Sequence, residues 1–109
     1  MTNEVNRVGS AVELSDDSEL YHTVQVAILV RAARSALGWN QAELAERAGI
    51  SKPTLQRFEQ LDVSTRVGTI GKLIKAVRDA GVEFEIHQDK VTISFPERSI
   101  EEVIRGSRS

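Results

Sequence analysis

Apolar side chains at Val26, Val30, Ala33 and Leu37 are spaced four, three and four apart, which puts them on one face of a helix, and Gly38 follows where such a helix would stop. Ile28 and Leu29 widen that face beyond one stripe, so the first helix is expected to cover a neighbouring segment or subunit as well. Asn40 followed by Glu43 has the spacing of a capping box with Asn in place of Ser or Thr, and predicts a second helix from about Gln41. Its buried face is Leu44, Ala45 and Ala48, and Gly49 supplies the permissive backbone for a tight turn into Ile50. Ser51 can cap a third helix, with Pro53 in the first turn, where a missing amide does little harm, and Leu55 and Phe58 inward. Thr69 can cap a fourth, whose stripe is Ile70, Leu73, Ile74 and Val77, with Lys72, Lys75 and Arg78 outside and Gly81 at its end.

Beyond Gly81 the period changes to two. Val82, Phe84 and Ile86 alternate with Glu83, Glu85 and His87; after Gln88, Asp89 and Lys90, the apolar residues Val91, Ile93 and Phe95 alternate with Thr92 and Ser94. This predicts a β-hairpin with one apolar face. After Pro96, Ser99 and Glu102 repeat the capping-box spacing ahead of Ile100, Val103 and Ile104, which predicts a short terminal helix. Residues 1–18 are polar, carry Asp16 and Asp17, show no sustained periodicity and read as a flexible acidic arm. The expected division is therefore an arm over 1–18, a helical domain over 19–81, a hairpin over 82–95, and a short helix with a polar tail over 96–109.

A chain of 109 residues with 40% hydrophobic and 28% charged residues can bury one modest core, which excludes a large enzyme architecture. With no cysteine there is no disulfide, thiolate nucleophile or Cys-based zinc site. No stretch approaches the roughly 18–20 apolar residues of a membrane span, and the acidic N-terminus does not suit a signal peptide; a soluble, cytoplasmic protein is expected. The net charge of −2 hides a gradient: residues 1–22 carry one Arg against five acids, residues 23–81 nine Lys/Arg against five, and residues 82–109 four against six. Positive charge is concentrated in the middle, where a phosphate backbone would meet it.

Two short helices joined by a Gly turn, with small Ala45 at their closest approach and a basic exposed face on the second, fit a helix-turn-helix that offers one helix to a major groove. Enzymatic parts are missing. His22 and His87 lack metal-ligand spacing, the glycines form no phosphate-binding loop, and Trp39 reads as core between the first two helices. No cofactor and no metal are expected.

The segment LGWNQAELAERAGISKPTLQRFEQ resembles the lambda-repressor-like, Cro/Xre-type helix-turn-helix family. Gln41, Glu43, Leu44 and Ala45 stand in its QxELA pattern, Gly49, Ile50 and Ser51 in its turn, and Glu59 at the acidic position closing the third helix. The resemblance implies a mainly α fold of four to five helices that binds double-stranded DNA, with the small hairpin and terminal helix appended. It implies a phosphate contact at Gln41, DNA contact at Ser51, and an exposed face of Lys52, Pro53, Thr54, Gln56 and Arg57 for readout, of which Thr54 suits the backbone, with Arg66 at a further phosphate position. Arg57 suits a bidentate contact to guanine, Lys52 guanine or phosphate, and Gln56 adenine or phosphate, whereas Pro53, lacking a donor, offers only apolar contact. The GW pair ahead of the QxELA helix, the Phe58-Glu59 pair and the β-prone segment after the fourth helix are similar to antitoxins that partner HipA-type kinase toxins. That likeness implies an autoregulating dimeric repressor on a palindromic operator, with a kinase-type toxin as partner. The alternatives are a phage-type repressor without a toxin and a protein-binding module that neutralises a partner.

A physical constraint bears on dimerisation separately, because an isolated two-stranded hairpin is marginal in water and needs cover. Val82, Phe84, Ile86, Val91, Ile93 and Phe95 need cover, either from a second subunit or from the fourth helix of the same chain.

Overall fold

A computed structural model describes residues 14–62 and 64–107. The first apolar stripe lies in α1 (Leu14–Leu37), and the remaining elements pack on this helix or on a neighbour that does. Val26, Val30, Ala33 and Leu37 are buried together, as their spacing predicts. Leu29 is buried too, but Ile28 is 53% exposed. The backbone is helical from Leu14, so residues 14–18 of the expected arm form the first turns of α1; residues 1–13 lie outside the described residues. Gly38, at φ 75°, ends the helix, and the Trp39 amide returns to the Arg34 carbonyl at 3.0 Å.

The capping box is present at α2 (Gln41–Ala48): Asn40 Oδ1 accepts from the Glu43 amide at 2.8 Å, and Glu43 Oε1 accepts from the Asn40 amide at 2.8 Å. Gly49, left-handed at φ 71°, turns the chain into α3 (Lys52–Glu59), where Ser51 Oγ accepts from the Thr54 amide. Leu44, Ala45, Leu55 and Phe58 meet in the core, and full burial of a side chain as large as Leu55 or Phe58 stabilises the fold by about 2 kcal/mol each. The fourth helix starts earlier than its cap pattern suggests: α4 spans Val67–Asp79, with Arg66 at the N-cap and no side chain capping it. The Thr69 amide already bonds the Arg66 carbonyl at 3.0 Å, so Thr69 lies inside the first turn and does not cap it.

Strands β1 (Glu83–Ile86) and β2 (Val91–Ser94) pair antiparallel, with Phe84 opposite Ile93 and Ile86 opposite Val91, so the alternation read from the sequence puts the apolar residues on one face. That face lies on the chain's own core, which includes Leu73, Ala76 and Val77 of α4, with β2 against α1. From α4 the Arg78 guanidinium also stands 4.6 Å from the Phe84 ring centroid. Gln25, almost fully buried on α1, donates to the His87 carbonyl at 2.8 Å and pins the hairpin end. Val82 is 2% exposed and belongs to the core.

The terminal helix α5 (Glu97–Ser107) packs on α1. Ser99 and Glu102 do not form the expected capping box. Ser99 is already in the helix, fully buried, its Oγ donating to the Pro96 carbonyl at 2.8 Å, and Glu102 pairs instead with Arg47 and Arg105 at 3.5 Å each. Arg98 donates to the carbonyls of Arg78 and Asp79 at 3.1 and 2.9 Å, satisfying the open end of α4. The joint needs glycine: at φ 92°, a Cβ on Gly81 would stand 2.8 Å from the Ser99 amide nitrogen.

One ion pair ties α3 to α1. Glu59, 6% exposed, accepts from Arg34 Nε at 2.8 Å and Nη2 at 3.1 Å, while Arg34 Nη1 donates to the Trp39 carbonyl at 3.1 Å.

Two stability predictions follow from these joints. Gly81→Ala should lower stability by about 1–3 kcal/mol, seen as a lower urea midpoint; an unchanged midpoint would contradict the close approach. Arg34→Met should cost about 3 kcal/mol by stranding the Glu59 carboxylate, and the double variant Arg34→Met/Glu59→Met should recover most of that loss. Equal midpoints for the single and double variants would show that the buried charge is not the cause.

Candidate nucleic-acid interface

The surface of α3 is divided by its periodicity. Leu55, Phe58 and Glu59 face inward and are buried, whereas Lys52, Pro53, Arg57 and Gln60 are exposed and Gln56 is half-buried. The sequence-derived readout residues are thus brought onto the outer side of one two-turn helix, which alone would be too short to persist in water. Its position comes from the packing of Leu55 and Phe58 and from the Arg34–Glu59 pair.

Ser51 and Thr54 are occupied locally: their hydroxyls lie 2.7 Å apart, and Ser51 Oγ caps the helix through the Thr54 amide. Gln41 stands at the first position of α2 and donates from Nε2 to Glu59 Oε1 at 2.9 Å. A primary amide carries two N–H groups, so this bond orients the side chain and leaves one donor for an outside acceptor. The buried carboxylate is met by three N–H donors in all, two from Arg34 and one from Gln41. No periodicity in the sequence signals this connection between α1, α2 and α3; the only hint is the acidic residue closing the third helix.

At the other end of α3, Thr54, Arg57, Asp62, Thr65, Arg66 and Thr69 line a depression of about 340 Å³ between α3 and the start of α4. Arg66 is exposed, and the N-terminal amides of α4 have no side-chain cap, so the positive end of that helix opens beside two guanidinium groups. The loop is set by Asp62, whose Oδ1 accepts from the Ser64 amide at 2.9 Å and the Ser64 hydroxyl at 2.7 Å. Those bonds, helped by the charge of Arg57, hold the Asp62 carboxyl below the ordinary carboxylate value. With the folded-state pKa depressed, the contribution of this turn is fully present above the unfolded value of about 3.9 and is lost as pH falls through the lowered one.

The hairpin and α5 pack on α1, whereas α3 packs on α1 and α2. Trp39 is 6% exposed, as expected of core, with the Arg47 guanidinium 4.1 Å from its ring centroid. Among the described residues, no cluster of His, Asp and Glu converges to hold a metal, and no helix is long and apolar enough to cross a membrane.

Comparison with known proteins meets the same region. A helix-turn-helix family model matches residues 30–78, which begins inside α1, contains the whole of α2 and α3, and ends one residue short of the end of α4. Antitoxin HipB of Escherichia coli strain K12 is 30% identical over 59 residues, covering 54% of this chain and 67% of that protein. Antitoxin HipB of Escherichia coli O6:H1 is also 30% identical over 59 residues, covering 54% of this chain and 63% of the relative. No solved structure matches the chain. With the α2–turn–α3 geometry, its capping residues and these matches in agreement, the chain belongs to the Cro/Xre-type helix-turn-helix family of DNA-binding proteins.

Proposed function

We propose that this protein is a sequence-specific transcriptional regulator that binds double-stranded DNA as a dimeric repressor and serves as the autoregulating antitoxin of a toxin–antitoxin pair. The observation that carries the DNA reading is the outer face of α3, where Lys52, Gln56 and Arg57 project from a helix whose other side is locked in the core. In this reading α3 enters the major groove. Arg57 pairs with guanine O6 and N7, Lys52 meets guanine or phosphate, Gln56 meets adenine or phosphate, and Pro53 packs on a thymine methyl. Gln41 at the start of α2 and Arg66 at the N-cap of α4 hold the DNA backbone, with the Ser51 and Thr54 hydroxyls at the start of α3 adding to that hold.

Two copies would place their recognition helices about 34 Å apart on one face of a palindromic operator. The hairpin supports the dimer reading: among the described residues, Phe84, Ile86, Val91, Ile93 and Phe95 are only partly covered, and the two-stranded sheet has both outer edges unpaired. Val82 is spent in the chain's own core and is not available to a partner. A kinase-type toxin is the proposed protein partner, a reading that rests on the likeness to HipB. The rival, a module whose main task is to bind and neutralise a protein, draws on α5, where Ile100 and Ile104 are 50% and 46% exposed one turn apart.

Selection from a random duplex pool at near-physiological salt should enrich a palindrome with wild-type protein. Arg57→Ala should weaken binding to that site by about 1–3 kcal/mol and relax preference at one base position; undiminished affinity and preference would remove Arg57 from the readout. Sedimentation at micromolar concentration should report a mass near 24 kDa, about twice the 12.0 kDa of one chain. A monomer mass would overturn the dimer.

A further inference from the structure

We infer that the cradle between α1, α2 and α3 is a further DNA-backbone site, with Arg31 as its cation and Gln41 and Gln60 as its hydrogen-bond donors. The proposal rests on the DNA-binding reading and adds to it a contact from α1, outside the helix-turn-helix.

The cradle has a volume of about 530 Å³ and is lined by Arg31, Arg34, Gln41, Glu59, Gln60 and Leu61. Its floor and its rim differ in what they have left to offer. On the floor, the Glu59 carboxylate is saturated by Arg34 and Gln41, and Arg34 is further committed to the Trp39 carbonyl. That pair is neutral and closed. On the rim, Arg31 stands one turn before Arg34 on α1, is exposed, and has no hydrogen-bond, ion-pair or ring partner among the described residues. The charge left over in the cradle is therefore the full positive charge of Arg31. The Gln60 side chain is likewise exposed and without a partner, and Gln41 keeps one amide hydrogen.

Orientation supplies the ligand. Gln60 lies three residues after Arg57 and four after Gln56, so it continues the outer face of α3, and Gln41 opens α2 beside it. A duplex seated on that face runs its backbone past the mouth of the cradle. A phosphate diester there meets one guanidinium and two amide donors and no unsatisfied carboxylate, which is the complement of a singly charged anion with several acceptor oxygens. Arg31 also lines the adjoining hollow with Ile28, Ala32, Arg34 and Ser35, a surface that carries no acidic residue.

Counterion release separates this contact from base reading. Titrations of the full chain by fluorescence anisotropy, between about 50 and 200 mM KCl, would use both the selected duplex and a random-sequence duplex. Arg31→Ala should weaken both by a similar factor, of the order of tenfold, and reduce the slope of log K against log salt by about 0.9 for each protomer bound. Arg31→Lys should restore the slope, while Gln60→Ala should lower affinity without changing it. A slope unchanged by Arg31→Ala, alongside an altered base preference in Arg57→Ala, would overturn the clamp and leave the DNA reading standing. No binding to either duplex by the wild type at any salt concentration would overturn both.

Discussion

The arrangement depends on a carboxylate buried at the end of a two-turn helix. An isolated eight-residue helix does not hold itself in water, so α3 can present side chains at defined positions only if something outside it fixes its place. Leu55 and Phe58 supply adhesion, which is non-directional, and Glu59 supplies direction, because the Arg34 fork reaches both of its oxygens from α1. The same carboxylate orients Gln41, and the same guanidinium takes the Trp39 carbonyl in the turn leading to α2. The start of α2, the end of α3 and the last turns of α1 therefore hold one geometry. A charge buried in this way is tolerated because every donor it needs is present.

Around that centre the chain spends its charged groups in two ways. Some are bound into the fold: Arg34 with Glu59, Arg98 on the last carbonyls of α4, Arg47 over Trp39 and against Glu102, and Arg78 over Phe84. Others, including Arg31, Lys52, Arg57 and Arg66, are exposed on α1, on α3 and at the start of α4. The positive middle of the chain is thus part scaffold and part surface, and its formal charge overstates what a phosphate backbone would meet. The hairpin and α5 belong to the scaffold side, since Gln25, Gly81 and Ser99 tie them into the core of the helical domain.

Much of this was legible along the chain because it is local. The Asn40–Glu43 box, the Ser51 cap, the left-handed Gly49, the buried stripes and the alternation of the hairpin strands all depend on residues two to four apart, or on an alternation of two, and the structure repeats them. So does the outward set on α3, since helix periodicity alone puts Lys52, Gln56 and Arg57 opposite Leu55 and Phe58. Local signals also misled where two sites competed. Thr69 and Ser99 have the residue types of caps, but α4 begins at Val67 because packing of Ile70, Leu73 and Val77 outweighs a missing cap, and Ser99 is drawn into the tight joint with Gly81.

The sequence by itself determined the number and kind of elements after the first helix, the helix-turn-helix and the face of α3 that looks outward, because each follows from steric and hydrogen-bonding preferences within a few residues. Only the tertiary structure decided which partners distant residues take: Glu59 with Arg34 across 25 positions, Gln25 with the hairpin across 62, β2 on α1, and Arg31 without a partner among the described residues. Periodicity shows that a side chain is inside or outside. Which neighbour it meets depends on how whole helices stack, and that is set by the fit of all their faces at once.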